Sequence, residues 1–124
     1  ADGTNQVNVT NTTDEEIEPA WSPNGKKIAF ARRDATSFPY YEIWTINPDG
    51  TGLTQITSSF EPGVRVDASL PAWAPDSRWL VYVRRVTPSD GLQSEIVTIK
   101  ADGTAPATIG SSPALDDSPD WALR

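Results

Sequence analysis

The stretch Pro19-Ala-Trp21-Ser-Pro23-Asn returns 52 residues later as Pro71-Ala-Trp73-Ala-Pro75-Asp, and Pro119-Asp-Trp121 begins it a third time. Two further phrases recur in step. Glu42-Ile43-Trp44-Thr45-Ile46 matches Glu95-Ile96-Val97-Thr98-Ile99, and Asp2-Gly3-Thr4 matches Asp49-Gly50-Thr51 and Asp102-Gly103-Thr104. From each Asp-Gly-Thr glycine to the next Trp is 18, 23 and 18 residues, so the period is near 50. A repeat of this length confines the chain to solenoids, propellers or arrays, in which one supersecondary unit is copied and stacked.

Each unit reads as four short strands. The first is Pro-Ala-Trp, closed by Ser22-Pro23-Asn24-Gly25 or Ala74-Pro75-Asp76-Ser77, where Pro presets φ and Asn-Gly accepts a positive one. The second is Lys27 to Ala31, matching Trp79 to Val83, and its nearly unbroken apolar run implies burial on both faces. The third is Glu42 to Ile46, matching Glu95 to Ile99, each followed by an Asp-Gly turn. The fourth is Leu53 to Thr57, matching Pro106 to Gly110, with Gln6 to Thr10 as an earlier copy. A Pro that opens such a strand suits a sheet edge. No window holds a period of 3.6, so no helix is expected. The spacing therefore predicts an all-β chain of β-propeller blades, each a four-stranded antiparallel sheet whose faces are covered by its neighbours.

The pattern Pro-x-Trp-Ser-Pro-(Asn/Asp)-Gly-Lys-Lys-Ile-Ala-Phe, then Glu-Ile-Trp, Asp-Gly-Thr and a Leu-Thr strand, resembles the TolB-type (WD-like) β-propeller repeat over nearly the whole chain. The second copy departs from it at Ala74, Ser77-Arg78 and Pro106-Ala107, which are turn and outer-strand positions. The resemblance implies a ring of about six blades in a binding protein of the periplasm or cell surface. The same repeat also occurs as a gating domain attached to serine peptidases.

Within that frame the chain divides into 1–18, the outer strand of a preceding blade; 19–58, a blade; 71–111, a second blade; and 117–124, the inner strand of a following one. Two whole blades with flanking partial-blade strands leave apolar faces open. Trp21, Trp73 and Trp121 recur with the repeat and are expected to form inter-blade core, with Trp21 and Trp73 equally important to stability. Open faces around Trp21, Phe30, Trp73 and Tyr82 predict association with further blades. These would come from a longer parent or from copies of the chain joined heterologously into a ring or filament. The chain opens at Ala1 without an initiator Met, as a processed or excised product would.

Composition narrows the chemistry. The formal net charge is −7, which opposes a nucleic-acid surface built on clustered Lys and Arg. With no Cys and no His, the usual zinc sites, thiol nucleophiles and imidazole bases are absent. No Gly-x-Ser-x-Gly elbow and no phosphate-cradling loop is present, and the Asp-Gly pairs lack the alternating oxygen ligands of a calcium loop. No catalytic, metal or cofactor residues are assigned. No apolar run approaches the roughly 20 residues that span a bilayer, so membrane insertion is not expected.

One acidic group has two readings. Asp14, Glu15, Glu16 and Glu18, then Asp67, then Asp116, Asp117 and Asp120 precede successive inner strands. In a propeller they would gather at one mouth of the axial channel, where like charges call for a cation or a basic partner. Alternatively they are solvated loop carboxylates. Asn8-Val-Thr10 and Asn11-Thr-Thr13 are glycosylation sequons, which would matter in a secreted setting. Arg32-Arg33 and Arg84-Arg85 fall at matching blade positions, which points to a structural role beside nearby acids. The leading expectation is a non-enzymatic scaffold or interaction module, secreted, cell-surface or periplasmic, whose partner is a protein or further copies of itself. The alternatives are the propeller portion of a larger serine peptidase and a self-assembling extracellular structural protein.

Overall fold

The computed structural model describes residues 3–33, 40–58, 64–87 and 93–112. Eight strands form two sheets: β1 (Glu15–Trp21), β2 (Ile28–Arg33), β3 (Glu42–Ile46) and β4 (Thr54–Gln55), then β5 (Arg65–Trp73), β6 (Trp79–Thr87), β7 (Gln93–Lys100) and β8 (Ala107–Ser112). Each sheet runs in chain order with antiparallel neighbours, a four-stranded meander. No helix occurs among the described residues. These are two propeller blades laid face to face, with β5 packed over β1, β2 and β3.

The inner strands start earlier than the Pro-Ala-Trp phrase indicates. β1 begins at Glu15 and β5 at Arg65, and each carries a bulge just before its Pro, at Glu18 (φ 58°) and Leu70 (φ 55°). The register shifts there, between Ile17 and Ala20 and between Ser69 and Ala72. A bulge excuses Pro19 and Pro71 from donating to the ladder, so the strand continues across them. The acid-rich start of β1 is held by cross-strand charge pairs, Glu15 opposite Arg33 and Glu16 opposite Arg32.

Two outer-strand expectations need correction. The ladder of β4 stops at Gln55 because Ile56 N–H and Thr57 N–H both donate to Ile43 O, at 2.8 and 3.3 Å, while Ile43 N–H goes to Thr57 Oγ1 at 2.9 Å. Gln6–Thr10 forms no strand, since no third strand of an earlier sheet lies beside it among the described residues. A Cβ on Gly50 would meet Val9 O at 2.9 Å, and a Cβ on Gly103 would meet Ile56 O at 3.0 Å. The segment thus lies against the first blade as β4 and its extension lie against the second. The hydroxyls of Thr10 and Thr12 anchor it by donating to the Glu16 carboxylate.

The Asp-Gly-Thr phrases are hairpin turns. Asn47 N–H bonds Thr51 O and Gly50 N–H bonds Asn47 O, both at 2.9 Å; Lys100, Thr104 and Gly103 repeat the arrangement. Gly50 and Gly103 take the left-handed position that closes such a loop, at φ 87° and 86°. Thr51 and Thr104 donate to Asp49 and Asp102 through both hydroxyl and amide, which holds each carboxyl below its ordinary range.

One core cluster spans the joint between the blades. The first blade contributes the small side chains Ala29 and Ala31 with Ile43 and Ile56; the second contributes Ala68, Trp73, Leu80, Tyr82, Val97 and Ile99. Tyr82 is 4% exposed there. Burial, partly offset by Arg84, pushes its hydroxyl up to about 12. The folded value lies above the unfolded one, so the associated stability is whole below about pH 10 and is lost as pH rises toward 12. Two pH units correspond to roughly 2–3 kcal/mol. Tyr82→Phe should abolish that share of the alkaline loss in denaturant melts on either side of this window, and identical losses in the two proteins would contradict it.

Candidate interaction surface

The acids singled out by sequence are placed as follows. Arg32, with its side chain 10% exposed, lies against the Trp44 ring at 4.5 Å and bonds Asp14, with Glu16 at 4.0 Å. Glu15 pairs with Arg33. In the second blade Arg84 pairs with Glu95 at 2.7 Å, and Arg85 donates to Ser69 Oγ at 2.8 Å. The matching Arg dipeptides thus tie the second strand of each blade to its neighbours. Asp116, Asp117 and Asp120, with Trp121 and the inner strand expected at 117–124, lie outside the described residues. Among the described residues no group of three or more Asp or Glu could hold a metal ion.

Glu18 and Asp67 act between the blades. The bulge at Leu70 turns its N–H out of the β5 ladder, and Glu18 of the first blade accepts it at 2.6 Å. Asp67 of the second blade accepts Tyr41 N–H at 2.9 Å and pairs with Arg65 at 2.8 Å, while Tyr41 O accepts Ala68 N–H. Trp73 completes the joint by donating its indole N–H to Ala20 O at 2.9 Å. A further tie joins the turns, Asn24 N–H to Ser77 Oγ at 3.1 Å. The joint is therefore a defined set of hydrogen bonds around an apolar centre, and its donors and acceptors alternate between the two blades.

The same set is incomplete on the other side of the first blade. Trp21 stands where Trp73 stands, yet it is 60% exposed while Trp73 is 7% exposed. Equal burial of the two is thus corrected: Trp73 has a preceding inner strand to donate to, and the described residues give Trp21 none. Phe30 and Ile46, on the same side, are buried, and with Val9, Thr10, Ile17 and Ile28 they enclose a cavity of about 250 Å³. The N-terminal segment contributes Val9 and Thr10 to this cavity, and Trp21 remains exposed. At the far side of the second blade, Ile109 is 64% exposed where its counterpart Ile56 is 6% exposed. Of the four residues around which open faces are expected, Trp21 is exposed, whereas Phe30, Trp73 and Tyr82 are buried.

The sequon residues Asn8 and Asn11 are exposed. Asn8 Oδ1 accepts from Asn11 N–H at 2.9 Å.

No family model matches the chain. The Tol-Pal system protein TolB of Gluconobacter oxydans (strain 621H) is 33% identical over 109 residues, covering 86% of this chain and 22% of that protein. The chain thus spans about a fifth of the length of that protein. Among solved structures, a putative TolB from Agrobacterium tumefaciens superposes with a TM-score of 0.62 at 21% identity, over 78% of this chain and 34% of that one. An oligogalacturonate lyase in complex with manganese gives 0.60 at 24% identity, over 81% and 26%. TolB from Acinetobacter baumannii gives 0.59 at 20% identity, over 82% and 23%. These likenesses show the fold.

Proposed function

We propose that this chain, a pair of TolB-type β-propeller blades, is a non-enzymatic protein-interaction segment that works in the periplasm as part of a Tol-Pal-type system. The observation that carries this is the division of labour on its surface. Glu18, Asp67, Trp73 and the Arg pairs are engaged in holding strands and blades together, whereas an indole at Trp21 is turned outward. That arrangement offers contact area, in which exposed aromatic side chains are favoured, and among the described residues no organised nucleophile or base. The similarity to a Tol-Pal system protein supports the compartment and the kind of partner.

Two measurements test it together. A purified Pal protein titrated into the chain in a calorimeter should bind, and oligogalacturonate incubated with the chain and manganese should not be cleaved. Absence of binding by Pal, or cleavage that survives purification and disappears with one carboxylate substitution, would overturn the proposal.

A further inference from the structure

We propose that the cavity between the two blades beside β8 binds a small uncharged aromatic molecule, held where the second repeat lacks a tryptophan ring and oriented by the Tyr82 hydroxyl. This goes beyond the protein-interaction reading and does not depend on it.

The cavity measures about 460 Å³ and lies between the end of the first blade, at Ile56 and Thr57, and the second blade, at Tyr82, Arg84, Val97 and Ile99. Small-molecule sites commonly enclose ~300–1,000 Å³. Two departures from the repeat shape it. Trp44 and Val97 hold the same place in their blades, as do Phe30 and Tyr82, and within each blade the two positions are cross-strand partners. In the first blade Arg32 stacks over the Trp44 ring at 4.5 Å. In the second blade Arg84 takes the place of Arg32, opposite Glu95 as Arg32 is opposite Glu42, but Val97 supplies no ring. What remains beside Arg84 is open space walled by the buried side chains of Ile56, Val97 and Ile99. A planar ring entering there replaces the missing indole, with apolar side chains against it and a guanidinium to attract its face.

The second departure adds a hydroxyl. Phe30 packs its blade without one, so the repeat does not require a polar atom at Tyr82. Tyr82 is nevertheless buried, and among the described residues its hydroxyl has no hydrogen-bond partner; burial and the charges of Arg84, Glu42 and Glu95 are what act on it. An unpaired hydroxyl in such a place costs stability, which a ligand oxygen accepting its proton recovers. The charges nearby are already engaged: Arg84 pairs with Glu95 at 2.7 Å, and Glu42 accepts the Thr57 hydroxyl. A charged ligand would give up hydration with no counter-charge left to answer it. An uncharged ring bearing a carbonyl oxygen is therefore the best match.

The probe is indole-3-acetamide, with indole-3-acetate and tryptamine as its charged counterparts, titrated into the methyl-labelled chain and followed by NMR. The methyl signals of Ile56, Val97 and Ile99 should shift and saturate with the amide in the low-millimolar range. The two charged compounds should bind at least about fivefold more weakly. Tyr82→Phe should keep the folded spectrum and weaken amide binding about fivefold, as loss of one hydrogen bond does. Val97→Trp, which restores the first blade's residue, should abolish binding; if that variant does not fold, Ala107→Phe at the exposed rim supplies the blockade. The absence of a saturable shift at these methyls overturns the proposal. So do equal affinities for the three compounds, and so does amide binding that is unchanged by Tyr82→Phe or by the blocking variant.

Discussion

Trp73→Ala should lower the stability of the chain by about 3–5 kcal/mol, while Trp21→Ala should cost less than about 1 kcal/mol. The two residues hold the same place in the repeat, so the difference isolates what the neighbouring blade contributes. Trp73 is 7% exposed in the cluster that joins the blades. Its removal leaves a void among Ala29, Tyr82 and their neighbours that stiff strands cannot close, and it deprives Ala20 O of a donor. Trp21 is already 60% exposed and loses little on truncation. Urea melts followed by far-ultraviolet circular dichroism would measure both. Losses of equal size would mean that Trp21 is buried in solution or that Trp73 is not part of the joint.

The repeat made the architecture legible because turn chemistry and burial leave strong marks in composition. β3 runs from Glu42 to Ile46 as the Glu-Ile-Trp phrase indicates, and the Asp-Gly-Thr turns form as their residues require. Periodicity failed where a residue's state depends on something a repeat does not encode. It treats Trp21 and Trp73 as equivalent, but burial of each depends on the blade before it. It reads Glu15 and Glu16 as loop acids, whereas arginines on the neighbouring strand draw them into β1. It groups Glu18 and Asp67 with the other acids by charge. Their actual partners are single backbone amides on the other blade, at Leu70 and Tyr41, which no local spacing predicts. The N-terminal segment is an intermediate case: Val9 O lies against Gly50 as Ile56 O lies against Gly103, but Gln6–Thr10 forms no strand.

Gly103→Ala should destabilise by roughly 2–4 kcal/mol, and Gly25→Ala by only about 1 kcal/mol. Both glycines have left-handed backbones, with φ of 86° and 72°, so the conformational penalty of a side chain is similar at each. What separates them is the space beyond. At Gly25 nothing lies within 4 Å of the added Cβ, whereas at Gly103 it would meet Ile56 O at 3.0 Å and Ile56 C at 3.7 Å. Ile56 O belongs to backbone, not to a side chain that could swing away. Making room requires the end of the first blade to retreat, which pulls the Ile56 side chain from the joint cluster where it is almost wholly buried. The turn glycine thus sets how closely consecutive blades approach, in addition to closing its hairpin. Gly50→Ala provides the internal comparison. Its Cβ would meet Val9 O at 2.9 Å, but that carbonyl lies in a segment with no ladder to break, so the cost should fall between the other two. Denaturant melts of the three variants, with amide exchange at Ile56 as a local probe, check the ordering. A Gly103→Ala loss no larger than that at Gly25 would show that the blades slide apart without strain and that the close approach has no energetic weight.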